Sequence, residues 1–122
     1  MRILIIEDEW IIAYDLNLIL KSLGCDVVGT ADNGNDAVRI TQQLKPDVIF
    51  MDIKLKGLIS GIDAAEIIMQ RYGIPVIYVT AYYDADTMQR ALSTNPVAYI
   101  NKPFTEVELE NVLNTAVNRK TS

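Results

Sequence analysis

Five short apolar runs alternate with five helix-like segments, and this alternation constrains the fold more than any other feature of the chain. The runs are rich in Ile and Val and almost uninterrupted, which is typical of strands buried on both faces of a parallel sheet. They span Arg2 to Ile6, Val27 to Ala31, Val48 to Met51, Pro75 to Thr80 and Val97 to Ile100. The alternation predicts an α/β fold: a doubly wound, five-stranded parallel sheet with right-handed crossovers and helices on both faces.

Apolar stripes and capping residues mark the five helices. The first helix carries its stripe from Ile12 to Leu23, and Gly24 follows where a left-handed C-terminal cap belongs. The others are predicted from an Asn33 cap to Leu44, from Ser60 to Tyr72, from about Asp84 to Ser93, and from a Thr105–Glu108 capping box to Val117. We therefore expect one domain over residues 1–118, followed by a polar tail, residues 119–122, that frays.

Composition excludes several classes of function. The chain has 16 acidic and 11 basic residues, a net charge of −5, which argues against direct binding to nucleic acid or to an anionic membrane. It has no histidine, so Ser-His-Asp, Cys-His and histidine-ligated zinc chemistry are excluded. The single cysteine, Cys25, cannot form an internal disulfide, and the apolar run after Arg2 is too short for a signal peptide or a membrane span. We expect a soluble, cytoplasmic protein.

Charged and hydroxyl side chains follow the predicted strands at their carboxyl ends, where open parallel sheets bind ligands. Glu7, Asp8 and Glu9 follow the first strand, Asp52 the third, Thr80 ends the fourth, and the fifth leads to Lys102. Carboxylates brought this close repel one another, so a cation is needed to relieve the cost. Oxygen ligands without histidine or thiolate suit Mg²⁺, with Mn²⁺ also possible. A carboxylate, a lysine, a hydroxyl and such a metal together suit phosphoryl transfer.

These motifs resemble the receiver domain of two-component response regulators, of the chemotaxis-regulator type, and the resemblance covers essentially the whole chain. It rests on four motifs in order: Ile5 to Glu9, Asp52 after Val48 to Met51, Thr80-Ala81, and Lys102-Pro103-Phe104. Each motif alone is weak, but their combined order and spacing are specific. The resemblance implies a flavodoxin-like sheet with strand order 2-1-3-4-5.

The resemblance also implies a role for each site residue. Asp52 would accept the phosphoryl group as an acyl phosphate. Glu7, Asp8, Asp52 and the backbone carbonyl of Lys54 would hold Mg²⁺. Lys102 would pair with Asp52 before the reaction and with a phosphoryl oxygen after it.

A second set of residues would convert phosphorylation into a change of surface. Thr80 would donate its hydroxyl to the phosphoryl group, and Tyr99 would move from an outward to an inward position, although it could also be an ordinary half-buried strand aromatic. The surface formed by helix 4, strand 5 and helix 5 would change in response. The Lys102–Pro103 peptide bond is expected to be cis.

A receiver without histidine needs a separate donor, which would be a histidine kinase or a histidine phosphotransfer domain. The downstream protein is not indicated by the sequence, and a homodimer through helix 4, strand 5 and helix 5 is possible. Such a protein is a signalling switch that promotes only its own phosphorylation and dephosphorylation, and is not otherwise an enzyme. Lys54 and Tyr82 occupy positions that, in the family, influence how fast the acyl phosphate is hydrolysed.

The chain also departs from the usual receiver pattern. The segment from Ile53 to Ile59 is one residue longer than in most receivers, and Lys56 stands where proline is usual. This leaves the geometry of the loop open.

Three other functions compete with the phosphoacceptor interpretation. The chain could be a receiver-like interaction module that acts without phosphorylation. An aspartyl phosphatase of the haloacid-dehalogenase type would want a second Asp two residues after Asp52, where Lys54 stands. A flavodoxin-like nucleotide binder would need a phosphate-binding loop after strand 1, where the chain has three acidic residues. Those acidic residues could also be no more than a solvated first helical turn.

Overall fold

A computed structural model describes residues 1–81 and 84–121, so Tyr82 lies outside the described residues. Within them the chain forms one five-stranded parallel sheet in the order β2-β1-β3-β4-β5. The strands are β1 (Arg2–Ile6), β2 (Asp26–Ala31), β3 (Val48–Met51), β4 (Val76–Thr80) and β5 (Ala98–Asn101). The helices are α1 (Trp10–Ser22), α2 (Gly34–Leu44), α3 (Gly61–Tyr72), α4 (Ala85–Leu92) and α5 (Glu106–Thr121). The predicted fold class and strand order are confirmed.

The two faces of the sheet are covered by different helices. Side chains alternate along a strand, so Ile3 and Ile5 of β1 pack into one core cluster and Leu4 and Ile6 into the other. The first cluster includes residues of α1 and α5, and the second includes residues of α2, α3 and α4. Both faces of β1 are therefore buried, which explains why its sequence is continuously apolar.

Several element boundaries differ from those predicted, and β2 begins one residue earlier, at Asp26, while β4 begins one residue later, at Val76. β5 begins and ends one residue later, because Val97 donates its amide to the Val76 carbonyl (2.9 Å) before the ladder of β5 starts. α5 continues through Thr121 instead of giving way to a tail at residue 119. The Arg119 guanidinium donates hydrogen bonds to the carbonyls of Pro96 (2.9 Å) and Asn95 (3.2 Å), which fastens this last turn to the loop before β5. None of the described helices is long and apolar enough to cross a membrane.

A close backbone contact fixes the start of α3 against the end of β3. Gly61 donates its amide to the Ile53 carbonyl (2.7 Å), and a Cβ at Gly61 would overlap the Asp52 carbonyl oxygen and lie 2.9 Å from the Ile53 Cα. Ser60 caps the helix in a capping box with Asp63. Glycine is required at residue 61 by lack of space, and the contact holds the backbone that presents Asp52.

We expect Gly61→Ala to lower the free energy of unfolding by about 1 to 3 kcal/mol, because the added methyl group meets rigid backbone. Urea denaturation measures the change. Gly29→Ala is the control, since its Cβ would lie 3.1 Å from Cδ1 of Leu44, the movable end of a side chain. Equal unfolding free energies for Gly61→Ala and the unsubstituted protein would contradict the close contact.

Candidate functional site

Carboxylates from two neighbouring strands meet at the carboxyl edge of the sheet. β1 and β3 pair in parallel with Ile6 opposite Met51, so Glu7 and Asp52 leave the sheet side by side. One carboxylate oxygen from each of Glu7, Asp8 and Asp52 lies within 4.8 Å of the others. The structure therefore brings together three of the four acidic side chains that the sequence predicted at this edge, and the fourth, Glu9, lines the cleft beside them.

Lys102 reaches this cluster from the end of β5. Its amide donates to the Thr80 carbonyl (3.0 Å) at the end of the β4–β5 ladder, which places its side chain over the carboxylates. Its Nζ lies 2.8 Å from Oε2 of Glu7 and 3.1 Å from Oδ2 of Asp52. The peptide bond to Pro103 is cis. Lys102 thus contacts Asp52, as the resemblance implied, and makes a shorter contact with Glu7.

Burial makes these charges strongly interdependent. Glu7 is 6% exposed, and its burial, together with the charge of Asp52, raises the pKa of its carboxyl from 4.5 to about 7 despite the hydrogen bond from Lys102. Burial alone would lower the pKa of Lys102, but its hydrogen bond to Glu7 and the charge of Asp52 raise that pKa overall. The lysine therefore stays charged, while Glu7 titrates close to neutral pH.

Asp52 is held in a fixed orientation at the floor of a cleft. Its Oδ1 accepts a hydrogen bond from the Ile53 amide (2.7 Å) and its Oδ2 accepts one from Lys102. The cleft has a volume of about 240 Å³ and is lined by Asp8, Glu9, Asp52, Lys54, Thr80, Ala81 and Lys102. A carboxylate that is 6% exposed yet borders this cleft can be reached by a small group but is shielded from bulk water.

The donor set fits a hard divalent cation. Three carboxylate oxygens lie close enough to share one ion, and the cleft beside them leaves room for waters that Mg²⁺ retains. Burial is the main reason for the raised pKa of Glu7, and the negative charge of Asp52 adds to it. Lys54 lines the same cleft. Its backbone carbonyl is the fourth metal ligand that the resemblance implied.

The two predicted switch residues occupy different places. Thr80 is fully buried at the end of β4 and lines the cleft. Tyr99 lies on β5, outside the lining of the cleft, with its ring centroid 6.2 Å from that of Tyr78. Sequence reasoning missed Tyr78, whose hydroxyl pairs with Thr94 (2.8 Å) and whose pKa is raised by burial to about 12. The sequence signal for the burial of Tyr78 was its position within the continuously apolar run of β4.

Comparison with known proteins agrees with this geometry. A family model described as the response regulator receiver domain matches residues 3–114. The chain belongs to the response regulator receiver family. This receiver is 37% identical to the transcriptional regulatory protein PdtaR of Mycobacterium tuberculosis over 97% of its own length, and 36% identical to the phyllosphere-induced regulator PhyR of Methylorubrum extorquens over 95%. It covers 57% and 43% of those proteins, about half their length.

A solved structure confirms the fold of the receiver. The signal receiver domain of a modulated diguanylate cyclase from Desulfovibrio desulfuricans superimposes on it with a TM-score of 0.93 and is 37% identical. The match covers 98% of this chain and 95% of that one. The α/β architecture with strand order 2-1-3-4-5 is thus that of a receiver domain along essentially the whole chain.

The pKa of Glu7 predicts how stability depends on pH. Because its folded-state pKa is above the usual value, the folded receiver binds a proton that the unfolded chain releases, and stability falls as the pH rises from 4.5 through about 7. In metal-free buffer, we compare the free energy of unfolding of Glu7→Gln with that of the unsubstituted protein. We expect this difference to shift in favour of the variant by on the order of 2 kcal/mol when the pH is raised from 5 to 8. Urea unfolding at each pH measures this difference.

The control for this experiment is Glu110→Gln, which changes an exposed carboxyl group on α5. Its stability difference from the unsubstituted protein should be the same at both pH values. A Glu7→Gln difference that is equally independent of pH would show that burial does not perturb the Glu7 carboxyl.

Proposed function

We propose that this receiver accepts a phosphoryl group on Asp52 with the help of Mg²⁺, and that the modification switches a surface of the domain. The observation that carries the proposal is the meeting of Asp52, two further carboxylates and Lys102 beside one open cleft, which Asp8, Asp52 and Lys102 line. These groups supply a nucleophile, a cation site and a fixed positive charge. Phosphoryl transfer depends mainly on such positioning and charge neutralisation.

Asp52 is prepared for attack by the hydrogen bonds that orient it. The Ile53 amide holds one carboxylate oxygen, so the other is directed to the side of Lys102 and the cleft. A P–O bond to Asp52 forms as the P–N bond of a phosphohistidine donor breaks, which leaves an acyl phosphate on this side chain. Mg²⁺, when bound by Glu7, Asp8, Asp52 and the Lys54 carbonyl, supplies charge neutralisation for the phosphoryl oxygens. Mn²⁺ would suit the same oxygen ligands.

Lys102 and Thr80 sense the product. A phosphoryl group adds roughly −1.5 to −2 charges and new acceptor oxygens, to which Lys102 can turn from Glu7 and Asp52. The Thr80 hydroxyl can donate to another of these oxygens from the wall of the cleft. Each state of the receiver is then favoured by different contacts, which is the condition for a population shift.

The output surface lies at the edge of the sheet next to these residues. Thr80 ends β4 just before the chain leads to α4, and it pairs with Asn101 of β5, while Tyr99 pairs with Tyr78 two residues earlier on β4. Movement of Thr80 therefore passes to α4, β5 and α5. We propose that a downstream protein, or a second copy of the receiver, reads this surface.

The donor must come from another protein or domain, because the chain has no histidine. A histidine kinase or a histidine phosphotransfer domain in the cytoplasm supplies the required phosphohistidine. The net charge of −5 gives no basis for direct binding of nucleic acid. An aspartyl phosphatase is disfavoured because Lys54 stands where the second catalytic carboxylate would be needed. The receiver thus acts as a switch and not as an enzyme on other substrates.

The phosphoacceptor is tested with acetyl phosphate and Mg²⁺, followed by intact-mass measurement. We expect the addition of one phosphoryl group, its loss in Asp52→Asn, and its retention in the control Asp26→Asn, which changes an exposed carboxyl at the opposite end of the sheet. Removal of Mg²⁺ with a chelator should abolish the addition. No addition under any of these conditions would favour the phosphorylation-independent interaction module.

The switch is tested with two substitutions of Thr80 that differ in the hydroxyl group. We expect Thr80→Val and Thr80→Ser both to accept a phosphoryl group on Asp52. Phosphorylation should change amide hydrogen exchange in α4 and β5 of the serine variant, as in the unsubstituted receiver, because the hydroxyl is retained. The valine variant should lose at least half of that change. The same exchange response in both variants would exclude the Thr80 hydroxyl from the switch.

A further inference from the structure

The loop that follows Asp52 is fastened to a distant part of the chain. We call residues 53–59 the phosphoacceptor loop, and residues 32–34, which comprise the connection from β2 and the first residue of α2, the β2–α2 corner. Asn33 of the corner and Lys56 of the loop pair as an isolated parallel β-bridge. Gly57 next to it adopts a left-handed conformation with φ of 91°, which lets the longer loop turn back after the bridge. The bridge thus ties the middle of the loop to the corner.

A tightly packed contact between Ile59 and Gly34 reinforces the bridge. Ile59 of the loop packs directly on the backbone of Gly34 in the first turn of α2. A Cβ at Gly34 would lie 2.5 Å from Cγ1 and 2.9 Å from Cδ1 of Ile59, and 3.2 Å from its carbonyl oxygen. Any larger residue at 34 must therefore displace the Ile59 side chain, and the Ile59 carbonyl oxygen at 3.2 Å leaves little room for the backbone of the loop.

An ion pair between the same two segments contributes less. Lys56 Nζ lies 3.8 Å from Oδ2 of Asp32, with side chains that are 67% and 53% exposed. Exposed pairs of this length are weak because water and salt screen them. The backbone bridge and the contact between Gly34 and Ile59 therefore hold the loop, and the ion pair is secondary.

We propose that the β2–α2 corner positions the Mg²⁺ site, with Gly34 and Ile59 as positioning residues that act through the Lys54 carbonyl. This inference rests on the proposed function, which assigns that carbonyl to the metal. Lys54 lies between two anchors of the loop: the contact of Gly61 with Asp52 on one side and the corner on the other. Neither Gly34 nor Ile59 lines the cleft that contains Asp52.

The physical basis is the strict geometry of the ion. Mg²⁺ requires near-ideal octahedral coordination with short bonds, so displacement of one ligand by a fraction of an ångström weakens binding. Groups that orient metal ligands from outside the coordination sphere commonly affect affinity about 10-fold to 100-fold. The corner occupies this kind of supporting position for the phosphoacceptor loop.

The test measures Mg²⁺ affinity by isothermal titration calorimetry for the full chain and its variants. We expect Gly34→Ala to raise the Kd for Mg²⁺ about tenfold. At saturating Mg²⁺, the rate of phosphorylation by acetyl phosphate should stay within about twofold of that of the unsubstituted receiver, because the ligands themselves are intact. The control Gly29→Ala adds the same methyl group beside the movable Leu44 side chain and should leave the Kd unchanged. Thermal unfolding without metal verifies that each variant is folded.

A compensating substitution separates positioning from a general loss of stability. Ile59→Ala alone should also raise the Kd, since it removes the contact, and it serves as the test if Gly34→Ala does not fold. In the double variant, the methyl group added by Gly34→Ala occupies part of the space left by the Ile59 side chain. We therefore expect the Kd of the double variant to be closer to that of the unsubstituted receiver than the Kd of either single variant. Lys56→Ala should change the Kd by less than about twofold, in line with the exposed ion pair.

The outcomes distinguish this inference from the proposed function. An unsubstituted receiver that binds Mg²⁺, with the same Kd in the folded Gly34→Ala or Ile59→Ala variant, would overturn the positioning role alone. A Kd that rises equally in Gly29→Ala would also overturn it, since the effect would then follow general destabilisation. Failure of the unsubstituted receiver to bind Mg²⁺ would overturn the proposed function, and the inference with it.

Discussion

Repulsion among the carboxylates of Glu7, Asp8 and Asp52 is the constraint on which the site depends. The sheet forces these groups together, because β1 and β3 are neighbours in parallel register. Lys102 relieves part of the repulsion through contacts of 2.8 Å and 3.1 Å. Buried ion pairs of this kind are weak sources of stability, because desolvation offsets most of the attraction. The arrangement is better understood as a site that remains receptive to a cation and to phosphate oxygens.

The elements that follow the strands of this site differ in how deeply they are buried. β1 and β3 are buried on both faces, so the carboxylates that they carry are fixed in place. α3, which follows Asp52, buries five residues, whereas α4, which follows Thr80, buries only Ala91 among its described residues. Elements with few buried contacts open and shift at low free-energy cost. Thr80 therefore lies between the buried strands next to the carboxylates and a helix with few buried residues, which is the arrangement that the proposed switch requires.

The residues that could be predicted from the sequence are those fixed by strand periodicity. Once the apolar runs define parallel strands, the residues after β1, β3, β4 and β5 must share one edge of the sheet, and Asp52 and Lys102 do meet there. The contact of Lys102 with Glu7 was not predictable, because the direction of a long side chain depends on packing. The contact between Gly34 and Ile59 could not be predicted from the sequence either, because no periodicity relates an α2 residue to the loop after β3. The helical turn at Arg119 depends on carbonyls 23 and 24 residues away.

Competition for the same oxygens links the chemistry of the site to its electrostatics. A proton, Lys102 and a divalent cation all neutralise Glu7, and burial brings its pKa to about 7, where the protonated and ionised forms are both populated. A cation binds only to the ionised form, so its affinity rises with pH through this range. Lys102, whose own pKa is raised, remains charged throughout, so a cation at this site would displace it from Glu7 without removing its proton. In the proposed function, Lys102 could then contact a phosphoryl group on Asp52, so that one lysine would serve both the resting and the phosphorylated state.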